Sequence, residues 1–256
     1  MEGLPKPLFI THHSSIFSPI YHFSTVTSTN DIARQMALEG SPEGTAVLAR
    51  EQVSGRGRQG RLWNSPAGDG LYLSVLLRPQ TMFPVVQLIP LAAGIAVAET
   101  IKDIYGASPD IKWPNDILIG GRKVCGILVE SSTESGRMDF AILGIGVNLG
   151  QEEFPEDIRA TATSMLKETG LLIAPSDLVA PLLDRLDRWY KLVASDPAEV
   201  VTRWEQSSTY ARDCRVSIDT SEGPLEGITA GLNSAGALIV ELPGGETREE
   251  IGRAHV

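Results

Sequence analysis

Cysteine is nearly absent: Cys125 and Cys214 are the only two in 256 residues, with no CxxC pair and no histidines at metal-ligand spacing. Neither a disulfide framework nor a zinc site is indicated, and a reducing, cytoplasmic setting fits. Positive charge is also scarce. The formal net charge is -10 and the pI near 4.9, which excludes a protein that grips nucleic acid non-specifically, since that work needs basic surface to displace counterions. Aromatics make up only 6% of the chain, few for a base-stacking platform. Long apolar runs are missing too. The most apolar stretch, Pro84 to Ala98, is interrupted by Gln87 and Pro90 and is too short to span a bilayer. Met1 to Phe17 carries Pro5, Pro7 and the His12-His13 pair but no continuous apolar core before a cleavage site, so neither a signal peptide nor a membrane partner is expected.

The rest of the composition is that of a globular protein: 42% hydrophobic and 21% charged, enough for one sizeable core with a small appended domain. Ile20 to Thr27 alternates as a strand, and Ser28-Thr29-Asn30-Asp31 then supplies N-cap chemistry for a helix carrying Ile32, Ala33, Met36 and Ala37 and ending at Gly40. Thr45 to Arg50 and Leu71 to Leu77 read as strands around a polar, glycine-rich loop, Gln52 to Gly70, of a length that is usually functional. Val85 to Tyr105 has helical periodicity with Gly106 as its stop. Pro109 to Trp113, Ile117 to Ile119 and Lys123 to Glu130 read as short strands, with a hairpin turn at Gly120-Gly121. A further hairpin across Thr133 to Gly136 leads into Met138 to Leu143, and Leu178 to Val193 is an amphipathic helix containing Trp189. Beyond about Ser207 the texture changes to short strands, Arg215 to Ile218, Leu225 to Ala230 and Ala237 to Leu242, with turns at Gly223, Gly236 and Gly244-Gly245. The expected class is α+β, a mixed sheet flanked by helices followed by a small terminal β-barrel or sandwich.

Four segments carry candidate chemistry. In Gly55-Arg56-Gly57-Arg58-Gln59-Gly60-Arg61 three guanidinium groups alternate with glycines that let the backbone approach a ligand, and Trp63 follows; arginine forks suit phosphate and carboxylate. A solvated charged turn is the competing account. Lys112-Trp113-Pro114-Asn115-Asp116 delivers a lysine and a tryptophan into a proline-fixed turn with two polar side chains able to meet metal or nucleotide, where a structural turn would explain Pro-Asn-Asp alone. Gly126, within Cys125 to Leu128, and Gly144 to Asn148 place glycine in strand-like sequence, which points to close approach by a ligand or to tight strand packing. Asn148 suits an adenine edge or a metal-bound water, or simply a turn. Ser28-Thr29-Asn30 is explained by its capping role, and its hydroxyls and amides would also serve a polar head group.

In order and spacing, Ser28-Thr29-Asn30, Gln52, the Gly55 to Arg61 loop, Lys112 to Asp116, Gly121 to Glu130 and Gly144 to Asn148 together resemble the biotin protein ligases. The likeness runs from about Ile20 to the C-terminus. It implies a class II synthetase-like catalytic domain that binds biotin and ATP over residues 1–206 and an SH3-like β-barrel over residues 207–256. It also implies the activity of a biotin-[acetyl-CoA-carboxylase] ligase, which forms biotinyl-5′-AMP with ATP and Mg²⁺ and transfers biotin to a lysine of a biotin carboxyl carrier protein of acetyl-CoA carboxylase or a related carboxylase. The resemblance assigns the ureido head of biotin to Ser28, Thr29, Asn30 and Gln52, and the cover of the adenylate to the loop with Gly55, Arg56, Gly57, Arg58 and Arg61, Arg58 being the lid residue. Lys112 and Arg56 would stabilise the pentavalent phosphorus. Asp116 and Lys123 would be secondary catalytic positions, Trp63 would pack on the ligand, and Gly126 and Gly144 would line the biotin slot. Asn115 and Asn148 would face ATP, with Mg²⁺ near Asn148 and no dedicated metal site. Family members occur as monomers and as homodimers, so the resemblance admits both.

About twenty-seven residues precede Ser28, too few for the winged helix-turn-helix of bifunctional members, so a monofunctional type without operator DNA binding is expected. Val53 stands where many relatives carry a second glutamine. The rival readings are a lipoate-protein ligase or octanoyl transferase, which should lack the arginine-glycine loop, and a nucleic-acid-binding module in which Arg56, Arg58 and Arg61 touch phosphates.

Overall fold

Strand β2 (Ile20–Val26) runs parallel to β3 (Ala46–Gln52), with Ile20 opposite Ala46 and Val26 opposite Gln52. Parallel neighbours need a crossover, and helix α1 (Thr29–Leu38) is that crossover. A computed structural model describes residues 4–79, 87–134, 137–220, 223–250 and 254–255. Ser28 caps α1 by accepting from the Asn30 amide, and Gly40 follows its end with φ 88°.

The remaining strands of the large sheet are antiparallel. They are β1 (Phe9–Thr11), β4 (Gly70–Leu77), β5 (Asp110–Lys112), β6 (Asp116–Ile119), β7 (Arg122–Glu134) and β8 (Arg137–Asn148), giving the order β1-β2-β3-β4-β8-β7-β6-β5. All eight residues of β4 are buried, as the near-continuous apolar sequence of a strand covered on both faces requires. Gly120 (φ 58°) and Gly121 (φ 76°) make the β6–β7 turn, where both left-handed positions favour glycine.

On one face, α2 (Ile89–Tyr105), α4 (Pro175–Ser195) and α5 (Pro197–Gln206) cover Leu71, Leu73, Val75, Leu143, Ile145 and Val147 with Ile95, Leu182, Trp189 and Trp204. Gly106, left-handed at φ 66°, ends α2 as expected; the helix begins at Ile89, and the expected start at Val85 lies outside the described residues, as do Ser135 and Gly136 of the expected hairpin turn. On the opposite face α1 seats Ile32, Ala33 and Met36 on Val47, Ala49, Leu76, Phe140 and Ile142. Each fully buried aliphatic side chain of this kind contributes about 1.5–3 kcal/mol.

The short helix α3 (Met165–Thr169) precedes α4. Strands β9 (Arg212–Thr220), β10 (Gly223–Leu232), β11 (Leu238–Glu241), β12 (Thr247–Glu250) and β13 (Ala254–His255) then form a second antiparallel sheet in the order β12-β11-β10-β9-β13. The expected small β unit is therefore present as an open sheet: among the described residues its end strands β12 and β13 do not pair, so the barrel is not closed. Among the described residues, no helix is long and apolar enough to cross a membrane.

Candidate active site

Helix α1 covers only half of its sheet face. Along β8 the residues of that face run Phe140, Ile142, Gly144, Gly146 and Asn148, the first two packed under α1 and the two glycines leaving room for Asn30 and the Trp63 ring to approach the strand. Gly144 pairs with Ser74 on one side and Leu128 on the other, and Gly146 with Tyr72 and Gly126. These glycines floor a cleft of about 430 Å³. Its walls include Ser28, Thr29, Asn30, Gln52, Arg56, Gly57, Arg58, Arg61, Trp63, Lys112, Asn115, Asp116, Lys123, Gly126, Gly144 and Asn148, so the structure gathers these sequence-predicted residues in one place. Gly55 is the exception. It stands behind the wall, where a Cβ would press on Trp63 O and Ser65 Oγ at 2.5 and 2.6 Å.

The head of the cleft is a closed hydrogen-bond chain. Gln52 Oε1 accepts from the Thr29 amide (2.8 Å) and hydroxyl (3.0 Å), while its Nε2 donates to Ser65 Oγ (2.9 Å). Ser74 Oγ lies 2.7 Å from Thr29 Oγ1 and donates to Asn30 Oδ1 at 2.6 Å. Asn30 Nδ2 donates to Glu130 Oε2 at 2.6 Å. Ser28, Thr29 and Asn30 are 2–4% exposed, so buried polar groups here are oriented by one another and present a fixed pattern to whatever enters.

The arginine loop folds back on itself. Arg56 bridges to Leu62, the Gly57 amide donates to Arg61 O (2.7 Å), and the Trp63 amide donates to Gly55 O (2.9 Å). At its tip a single 3₁₀ turn, Arg58–Gly60, puts Gln59 at φ 56° and Gly60 at φ 75°. Arg56 reaches Asp31 with Nη1 and Glu130 with Nη2 (2.9 Å). Burial disfavours its charge, but the bond to Glu130 and the charges of Glu130 and Asp31 outweigh this and raise its pKa. Arg58 is lowered by burial, offset in part by Asp116, and donates to Asn115 Oδ1 at 3.3 Å. The Trp63 ring lies flat on the floor, where a Cβ on Gly126 would come within 2.9 Å of it and one on Gly146 would overlap it.

Opposite the loop, β5 ends on Lys112, whose ammonium stands 5.6 Å over the Tyr210 ring. The next side chain, Trp113, turns into the core and donates to Gly236 O of the second sheet (3.1 Å). Asn115 is tied to β7 through Nδ2 to Ile127 O (2.6 Å) and its carbonyl to the Ile127 amide (3.0 Å). Asp116 and Lys123 form an ion pair at 2.6 Å, and Lys123 stands 5.4 Å over Trp63. Asn148 donates to Thr163 O (2.9 Å) and accepts from Gln151 (3.3 Å). Five cationic residues, Arg56, Arg58, Arg61, Lys112 and Lys123, thus line one cleft, beside a neutral polar end. A carboxylic acid and a polyphosphate, which repel each other in water, would be drawn together there.

Sequence reasoning gave no site role to Ser74, Asp31 or Glu130, although Asp31 and Glu130 stand in segments it named. A lone serine in the apolar run Leu71 to Leu77 was the available signal for the first. It also passed over Phe154, Ile158 and Ala162, which wall the cleft beside Asn148.

The chain belongs to the biotin/lipoate A/B protein ligase family, whose sequence model matches residues 22–148. Among its relatives, it is 35% identical over 241 residues to the biotin-[acetyl-CoA-carboxylase] ligase of Paracoccus denitrificans, covering 90% of this chain and 96% of that one. It is 33% identical over 224 residues to the bifunctional ligase/repressor BirA of Bacillus subtilis, covering 87% and 69%. The fold superposes on the biotin protein ligase of Aquifex aeolicus in complex with biotin and ATP with a TM-score of 0.80 and 31% identity, over 92% of this chain and 97% of that chain.

Proposed function

We propose that this chain is an ATP-dependent biotin protein ligase, which condenses biotin with ATP to biotinyl-5′-AMP and transfers the biotinyl group to a lysine of a carboxyl carrier protein. The observation that carries the reading is the two-ended cleft: a neutral polar head of Thr29, Asn30 and Gln52, the first two oriented by the buried Ser74 behind them, and a cationic end of Arg56, Arg58, Lys112 and Lys123, on one glycine floor. A ureido group matches the neutral end, since it both donates and accepts. The biotin carboxylate and the α-phosphate then meet at the cationic end, where Lys112 and Arg56 offset the charge gathering at phosphorus as pyrophosphate leaves. In the second step an unprotonated acceptor lysine attacks the acyl carbon and AMP departs, with the Arg56–Arg61 loop excluding water.

Among the described residues, no group of three or more histidine, cysteine, aspartate or glutamate side chains could hold a metal. Mg²⁺ would therefore enter with the triphosphate, held mainly by phosphate oxygens and water as this cation prefers. Asn148 suits it as a protein donor, because its amide nitrogen is committed to Thr163 O and its Oδ1, which accepts one bond from Gln151, keeps a second lone pair. The ion would neutralise phosphate charge. The two unpaired cysteines favour a cytoplasmic location.

The test is exchange of labelled pyrophosphate into ATP in the presence of biotin, lipoate or octanoate. Exchange with biotin alone is expected. Exchange only with lipoate would place the chain with the other activity of its family, and salt-sensitive DNA binding without exchange would favour the nucleic-acid reading.

A further inference from the structure

The carboxylate of Glu130 lies between the two ends of the cleft and serves both. Its Oε2 accepts from Asn30 Nδ2 at 2.6 Å and from Arg56 Nη2 at 2.9 Å. Asn30 is fixed at its other end by Ser74 and has 4% of its surface exposed. Arg56 is fixed by Asp31 in the first turn of α1, one residue beyond Asn30. Glu130 reaches this point because β7 alternates: Gly126 and Leu128 line the cleft and Glu130 follows them on the same face, opposite Ile142, while Cys125 and Ile127 belong to the core of the other face. One oxygen atom is thus a shared acceptor for the amide that would read the acid's head group and the guanidinium that would meet its phosphates.

We infer that Glu130 is a positioning residue that couples head-group recognition at Asn30 to the placement of Arg56, so that disturbing either partner is felt at the other. This rests on the proposed reading of the cleft. The coupling follows from the charges. Arg56 offsets two carboxylates, Asp31 and Glu130, which would otherwise repel each other. Without the guanidinium, Glu130 turns away from Asp31 towards water and loosens its hold on Asn30 Nδ2. Without Glu130, Arg56 follows Asp31 alone, and the Asn30 amide keeps only its oxygen side anchored. An arginine at the phosphate end therefore sets the geometry of the head-group end without touching it.

The experiment is a double-mutant cycle on the full chain, read by calorimetry without nucleotide as the affinity for biotin presented as its neutral amide, which keeps the head group and leaves Arg56 no carboxylate to meet. Glu130→Ala and Arg56→Ala are each expected to weaken biotin binding about tenfold, the scale of one buried charge-assisted hydrogen bond. The double variant should be no weaker than either single variant, because both break the same link. Glu130→Gln, which keeps an acceptor oxygen, should recover most of the lost affinity; Glu130→Met, which fills the space without an oxygen, carries the cycle if the alanine variant does not fold. A product of the two losses in the double variant would overturn the coupling, since it would mean that Arg56 contacts the ligand independently. Unchanged affinity in Arg56→Ala would overturn it as well. If the unaltered chain binds lipoate and not biotin, the functional reading fails while the coupling is still decided, because the same cycle is then read with the neutral amide of lipoate.

Discussion

Gly144→Ala tests whether the glycine floor sets head-group recognition. The new methyl would overlap Asn30 Oδ1 and stand 3.1 Å from its Cγ. Apolar contacts settle near 3.5–4.0 Å, so the amide has to move by roughly 1 Å. It has no slack, since Oδ1 is held by Ser74 and Nδ2 by Glu130, both at 2.6 Å. Moving it breaks at least one of these bonds in a buried setting, a loss of about 1–3 kcal/mol, or roughly a 5- to 150-fold rise in the biotin dissociation constant. Calorimetry without ATP reads that constant. Pyrophosphate exchange should show the KM for biotin rising by far more than the KM for ATP. The melting temperature is the control, because over-packing also destabilises. A variant that melts like the unaltered chain and binds biotin within about threefold of it would refute the argument, since Asn30 would then have moved at no cost to recognition.

Lys112→Ala is expected to abolish biotin-dependent pyrophosphate exchange; near-normal exchange would mean that the ammonium at the end of β5 does not meet the reacting phosphate. Arg58→Gly removes the tie to Asn115 and should let adenylate escape, read as biotin appearing on bystander lysines, whereas labelling confined to the acceptor would clear Arg58 of closing the loop. Burial holds His22 below its usual 6.5, so the unfolded chain takes up the proton first, and stability is full above that value and lost as pH falls through it. The drop in melting temperature between about pH 7.5 and about 5.5 should therefore be shallower in His22→Gln. Burial also raises the thiol of Cys125, leaving Cys214 as the reactive cysteine: a thiol reagent should titrate one group in the native protein and two after denaturation.

Much of this was legible in the sequence where a local signal fixes a local structure. Ser28 as cap, Gly106 as stop, Gly120-Gly121 as turn and the apolar run of β4 each state their own conformation. The gathering of the cleft residues was legible only through the combined spacing of several motifs, because no single motif says that Lys112 and Arg56 face each other. Strand β12 was hidden because Thr247-Arg248-Glu249-Glu250 has no apolar alternation and owes its structure to pairing with β11. Helix α5 was readable but overlooked: Asp196 caps it, Pro197 sits in its first turn, and Val200 and Trp204 repeat at helical spacing. The Glu130–Arg56–Asp31 cluster joins positions far apart in sequence, and a charged residue at a strand position carries no mark of its partner.

The even-numbered residues of β8 behave as a depth gauge. Phe140 and Ile142 carry side chains under α1, Gly144 and Gly146 let Asn30 and Trp63 come down on the strand, and Asn148 closes the row. Each step of two residues along a strand is about 7 Å, so the spacing between the amide over Gly144 and the indole over Gly146 is written as two positions on one face of one strand. Ile142→Gly should lengthen the slot towards α1, and a side chain at position 146 should shorten it from the other end. Chain-length selectivity could thus be re-cut at two addresses, the second of them by lifting the Trp63 ring, with the lysine opposite the loop untouched.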